Sequence, residues 1–150
     1  MPRCQPSNQD GNFMQDQLSF GQSAIAYVAA LVVILVLDGI WLGFAAKGLY
    51  QTEMGSLMNE SPRWGPALAF YLLYPLGLVF LVTAGGVPSI GDAALRGAVI
   101  GAMAYGAYNA TNLSVIKGFS DKLALVDFCW GTVLTAAAGA AVGWVSGRFR

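Results

Sequence analysis

The sequence predicts an all-α fold, an integral membrane bundle of four transmembrane helices with a short interfacial helix in the first loop. Two observations carry this reading. Of the 150 residues, 56% are hydrophobic and only 11% charged, whereas an ordinary soluble domain has roughly a quarter charged. Four stretches, near 24–46, 66–84, 94–116 and 123–146, reach the length of about 20 predominantly apolar residues that an α-helix needs to cross the hydrocarbon core.

Residues 1–23 are rich in Gln, Asn and Ser and lack apolar periodicity, so they read as a polar disordered tail, with Met14 an alternative start. A cleaved signal peptide is not expected, because the first apolar stretch is too long and contains Asp38. In the first loop, Tyr50, Met54, Leu57 and Met58 recur at helical spacing, as in a short amphipathic helix lying on the membrane surface. Trp64 then falls where an interfacial anchor belongs, and Pro75 is expected to kink the second span and free the Tyr71 carbonyl. Gly85, Gly86, Pro88 and Gly91 punctuate the second loop. Gly97 and Gly101 in the third span, and Thr135, Gly139, Gly143 and Gly147 in the fourth, form a small-residue ridge that lets helices approach closely. Residues 24–150 thus read as one transmembrane domain.

Composition also excludes functions. There are no histidines, which removes His-ligated metals, haem and His-based nucleophilic pairs. Eight basic and eight acidic residues cancel, leaving no basic surface for nucleic acid. Cys4 and Cys129 stand in unrelated settings and form no disulfide framework. No cofactor fingerprint or metal motif is present, so no cofactor or metal is expected. Lys117 and Lys122 read as solvated loop charges or snorkelling anchors.

Polar groups inside a span are costly, so their placement is informative. Asp38 and Trp41 in LDGIWLG are matched by Asp127 and Trp130 in VDFCWG, while Tyr71 and Tyr74 are matched by Tyr105 and Tyr108, the latter followed by Asn109, Thr111 and Asn112. Each pair is spaced i,i+3 and shares one helix face. At 1.5 Å per residue these groups lie roughly 6–12 Å below the face bounded by the first and third loops. One polar layer follows, in a wedge-shaped cavity opening towards the first loop. Its ligand-binding candidates are Asp38, Trp41, Tyr71, Tyr74, Tyr108, Asn109, Asn112, Asp127 and Trp130; no catalytic residue is assigned.

Four segments, LDGIWLGF at 37–44, PALAFYLLYPLG at 66–77, YGAYNATNL at 105–113 and VDFCWGTVL at 126–134, resemble a family of small bacterial inner-membrane proteins with four predicted spans, domain of unknown function 2177. That family has Asp where this chain has Asn109. The resemblance implies a multi-pass inner-membrane protein and no particular activity. Lys and Arg divide evenly, four on each side of the bundle, and Arg148 and Arg150 directly after the last span favour cytoplasmic termini.

The expected role is binding of a small amphiphile, lipid-like or isoprenoid-like, in the polar layer, or service as an accessory subunit. Alternatives are a lipid-modifying enzyme using Asp and Tyr as acid and base, a proton-coupled transporter of a small solute, and a layer that only hydrogen-bonds the bundle together. Expected partners are membrane lipids, the amphiphile itself, and a second copy of the chain or a membrane enzyme.

Overall fold

The computed structural model describes residues 18–55, 61 and 63–149. Most of the polar tail with Cys4 and Met14, and Leu57, Met58 and Pro62 of the first loop, lie outside the described residues. Among those described there are five α-helices and no strands.

Helix α1, Phe20–Ile40, starts four residues before the predicted span. The reason is local: the Gln22 N–H donates to Ser19 Oγ and the Ser19 N–H to Gln22 Oε1 at 2.8 Å, a capping box that fixes the first turn. The helix then widens into a π-helical turn, Trp41–Ala45, whose Trp41 carbonyl accepts from the Ala46 N–H at 2.7 Å. Helix α2, Lys47–Met54, follows at once and ends at Gly55, where a positive φ of 45° stops it.

Helix α3 is Trp64–Thr83 and stays helical through Pro75. Beside the proline, the Leu72 carbonyl accepts from the Tyr27 hydroxyl at 3.2 Å. Trp64, the proposed anchor, stands exposed at the helix start. Helix α4, Ile90–Val115, and helix α5, Asp121–Gly147, are each capped by serine. The Asp92 N–H donates to Ser89 Oγ and the Leu123 N–H to Ser120 Oγ, with Asp92 and Asp121 in the first turns, where the helix dipole favours an anion.

Three helical segments, Phe20–Ala45, Trp64–Thr83 and Asp121–Gly147, are long and apolar enough to cross a membrane. Helix α4 has 26 residues, about 39 Å of helix, but Asp92, Arg96, Asn109, Thr111 and Asn112 dilute its apolar character, so it does not join the three on composition. The expectation of four spans is thus met by three helices on this measure.

The closest packing is between α4 and α5. A Cβ at Gly97 would collide with the Thr135 carbonyl, one at Gly139 with the Ala93 carbonyl, and one at Gly101 would sit 2.6 Å from the Gly131 carbonyl. The small-residue ridge is therefore where two backbones touch, and it ends at Gly143, since Gly147 has nothing near it. Helix α1 packs on α5 and α3 through Ala26, Ala30, Ile34, Leu78, Val82, Leu134 and Ala138. The outward faces are apolar as well, with Leu68, Leu73, Phe80, Val99 and Val133 exposed. Helices apolar all round are what a hydrocarbon solvent selects. At the end of the bundle away from α2, Arg96 Nη1 donates to the Val82 carbonyl at 2.6 Å, satisfying an acceptor at the end of α3.

Candidate functional site

Two buried carboxylates organise the half of the bundle nearest α2. Asp38, near the end of α1, accepts at Oδ2 from the Tyr71 hydroxyl at 2.7 Å and at Oδ1 from the Trp130 indole N–H at 3.1 Å. Asp127, two turns into α5, accepts at Oδ1 from the Tyr50 hydroxyl at 2.7 Å and at Oδ2 from Asn109 Nδ2 at 2.8 Å. Each carboxylate thus joins three elements, α1, α3 and α5 in one case and α2, α4 and α5 in the other. The i,i+3 step from Asp127 to Trp130 on α5 links the two clusters.

Aromatic rings fill the space around them. Trp41 stacks on Trp130 with centroids 4.3 Å apart and planes 7° from parallel. The widened π-helical turn carries Trp41 on the same face as Asp38, so carboxylate and ring meet the same indole of α5. Phe70 stacks on Tyr74, which meets Tyr105 edge-on. Gly131 has no room for a Cβ because the Tyr105 ring occupies that place. Thr135 Oγ1 donates to the Gly131 carbonyl at 2.7 Å, which leaves its oxygen to accept from the Tyr74 hydroxyl at 2.8 Å.

Helix α2 closes the end of this region. Tyr50 reaches inward to Asp127, and Glu53 accepts from Ser120 Oγ at 2.6 Å and pairs with Lys122 at 3.5 Å. Burial, reinforced by Asp127, pushes the Tyr50 phenol above its ordinary range. The Ser120 hydrogen bond, helped by Lys122, holds the Glu53 carboxyl below its ordinary range.

Of the nine candidates, the structure joins Asp38, Trp41, Tyr71 and Trp130 in one cluster and Asn109 and Asp127 in the other; Tyr74 lies beside them on Thr135. Tyr108 is 54% exposed and Asn112 makes no hydrogen bond in either cluster, so these two stand outside the network. Sequence reasoning missed Tyr50, whose helical spacing suggests only a helix lying on the membrane surface; Lys122 is a largely exposed charge, as expected, and pairs at the surface with Glu53. Tyr50 stands at the end where the sequence places the mouth of a wedge-shaped cavity, and part of the first loop there lies outside the described residues. A groove of about 380 Å³ lies between α3 and α4, lined by Phe70, Tyr74, Ala104, Tyr105 and Tyr108, with Asp127 the one charged residue in its wall. A second hollow of similar volume near Tyr27 and Phe80, between α1 and α3, is remote from both carboxylates.

Apolar helices with satisfied backbones, enclosing a layer of hydrogen-bonded carboxylates, define a helical membrane protein. The chain belongs to the predicted membrane protein family DUF2177, whose model matches residues 23–145. No curated protein and no solved structure matches the chain.

Proposed function

We propose that the chain is a four-span inner-membrane protein that holds the polar head of a small amphiphile in the groove between α3 and α4. In this reading α4 is the fourth span, tolerating Asn109 because α5 supplies its partner, and α2 lies at the interface with the termini cytoplasmic. The groove at Asp127 is the observation that carries the proposal. Its aromatic walls suit an apolar chain, its floor offers a carboxylate, and few, specific polar groups in an apolar cavity are the usual anatomy of a ligand site.

The arrangement supports binding better than acid-base chemistry. All four carboxylate oxygens of Asp38 and Asp127 already accept hydrogen bonds from neutral donors that fix their geometry. Native mass spectrometry of the protein released from detergent tests the proposal. An adduct of lipid-like mass is expected on the wild type and reduced on Phe70→Ala, which opens the groove wall without touching either carboxylate. Bare protein in both would overturn the reading.

A further inference from the structure

We infer that the head group held at Asp127 is a protonated amine; this rests on the amphiphile-binding reading above and specifies its ligand. The first observation is an unpartnered acceptor. Asn109 is 4% exposed, and its Nδ2 donates both to the Tyr105 carbonyl at 2.9 Å and to Asp127 Oδ2 at 2.8 Å. Those two acceptors fix the amide orientation, since a flipped amide would turn its oxygen towards both of them. Asn109 Oδ1 is left buried with no donor among the described residues. Native proteins rarely leave such a group unpaired, because it forfeits its hydration without recompense.

The second observation is a chamber that Asn109 and Asp127 line together. A chamber of about 30 Å³ is lined by Tyr50, Met54, Tyr108, Asn109, Leu123 and Asp127 and shares Tyr108 and Asp127 with the groove. A water needs roughly 10–15 Å³ by this kind of measure, and an ammonium group is of similar size. The chamber takes one such group and excludes a phosphate.

The third is the balance of charge and donors. Each Asp127 oxygen accepts one hydrogen bond and retains a second lone pair. The Tyr50 hydroxyl and the Asn109 amide spend their protons on the network, which leaves the Tyr108 hydroxyl as a donor in the lining and no cation among the described lining residues. Among the described residues, no Lys or Arg pairs with Asp38 or Asp127, and the Lys122 ammonium is engaged by Glu53. A carboxylate or phosphate head would meet the Asp127 carboxylate with no cation in the described lining to offset the repulsion. A neutral hydroxyl would satisfy Asn109 Oδ1 but leave Asp127 without a counter-charge. An ammonium supplies three donors and the missing charge, and the Tyr50 and Tyr108 rings in the wall favour a cation further.

The test uses the full chain in a non-ionic detergent at neutral pH and three probes of equal chain length: dodecylamine, dodecanol and dodecanoate. Thermal stabilisation by the amine is expected at a concentration at least about tenfold below that of the alcohol, equivalent to about 1.4 kcal/mol, with no stabilisation by dodecanoate. Asp127→Asn, which keeps the shape and removes the charge, is expected to bring amine and alcohol within about threefold of each other. Equal stabilisation of the wild type by all three probes would overturn the amine assignment and leave the amphiphile reading standing. No stabilisation by any probe would overturn both. The ammonium has two possible sources, and nanodiscs of phosphatidylglycerol with and without phosphatidylethanolamine separate them. If the aminophospholipid abolishes the response to dodecylamine, the lipid head is the occupant; if the response persists, a free long-chain amine is.

Discussion

At the scale of single residues, phenols placed at similar depth divide into those that hold the bundle and those that merely line it. Tyr71 donates to a buried carboxylate, and removing a hydrogen bond to a charged partner costs about 1.5–3 kcal/mol. Among the described residues the Tyr105 hydroxyl has no hydrogen-bond partner, and its contribution is the ring that covers Gly131. Tyr71→Phe is therefore expected to lower the melting temperature in detergent clearly, and Tyr105→Phe to leave it nearly unchanged. Equal losses would contradict the division. This contrast also marks how far the sequence reached. Helical rise alone placed Asp38, Trp41, Tyr71, Asn109, Asp127 and Trp130 at a common depth, and these residues do meet. Depth says nothing of azimuth, which is why Tyr108 and Asn112, equally deep by count, make no hydrogen bond in the network, Tyr108 only lining the space beside Asp127. Tyr50 was illegible for a different reason: the spacing of a short helix defines its faces but not which neighbour a face will meet.

At the scale of elements, α4 and α5 depend on the absence of side chains, and α2 depends on two side chains, Tyr50 and Glu53, that bond to its neighbours. Gly97→Ala and Gly139→Ala each force a methyl into a facing carbonyl, so an overpacking loss of about 1–3 kcal/mol is expected. Gly77→Ala, where nothing lies within 4 Å of the new Cβ, should be neutral or slightly stabilising by the reduced freedom of the unfolded chain. Thermal melts of the three variants decide this. The ridge itself was readable from the Gly spacing, since only small residues let helix backbones touch; its end at Gly143 was not, because it depends on where α4 begins. The attachment of α2 has a pH dependence whose sign follows from its two titrating groups. Glu53 is depressed, so its contribution is present above its ordinary carboxylate range and is lost as pH falls through the lowered value. Tyr50 is raised, so its contribution is present below about pH 10, the ordinary phenol value, and is lost as pH rises further. Amide exchange across Lys47–Met54 should accelerate at both extremes relative to α5 after correction for intrinsic rates, the acid arm vanishing in Glu53→Gln and the alkaline arm in Tyr50→Phe. A flat ratio across the range would show that these bonds do not hold the helix.

At the scale of the whole molecule, the question is whether α4 crosses the membrane with the other three, and packing and composition pull in different directions. Composition separates α4 from the more apolar helices, yet its 26 residues exceed the thickness of the hydrocarbon core, and it lies along α5 through backbone contact over several turns. Its most polar buried residue, Asn109, is not presented to lipid but spends its amide on Tyr105 and Asp127. A polar side chain satisfied by a neighbouring helix adds little to the cost of insertion, whereas the same side chain facing hydrocarbon would add much. The hydropathy of α4 taken alone therefore understates its fitness as a span. The two alternatives differ in topology. With four spans, the turn before Ile90 and the turn after Val115 lie on opposite sides; with three, they lie on the same side. In a chain with Cys4 and Cys129 replaced by serine, single cysteines at Ser89 and Lys117 distinguish them by labelling of intact cells with an impermeant maleimide. Labelling of Lys117→Cys without permeabilisation, and of Ser89→Cys only after it, is the result expected for four spans with cytoplasmic termini. The reversed pattern would keep four spans and invert the orientation. Identical behaviour at the two positions would remove α4 from the membrane and with it the groove that α4 and α3 enclose.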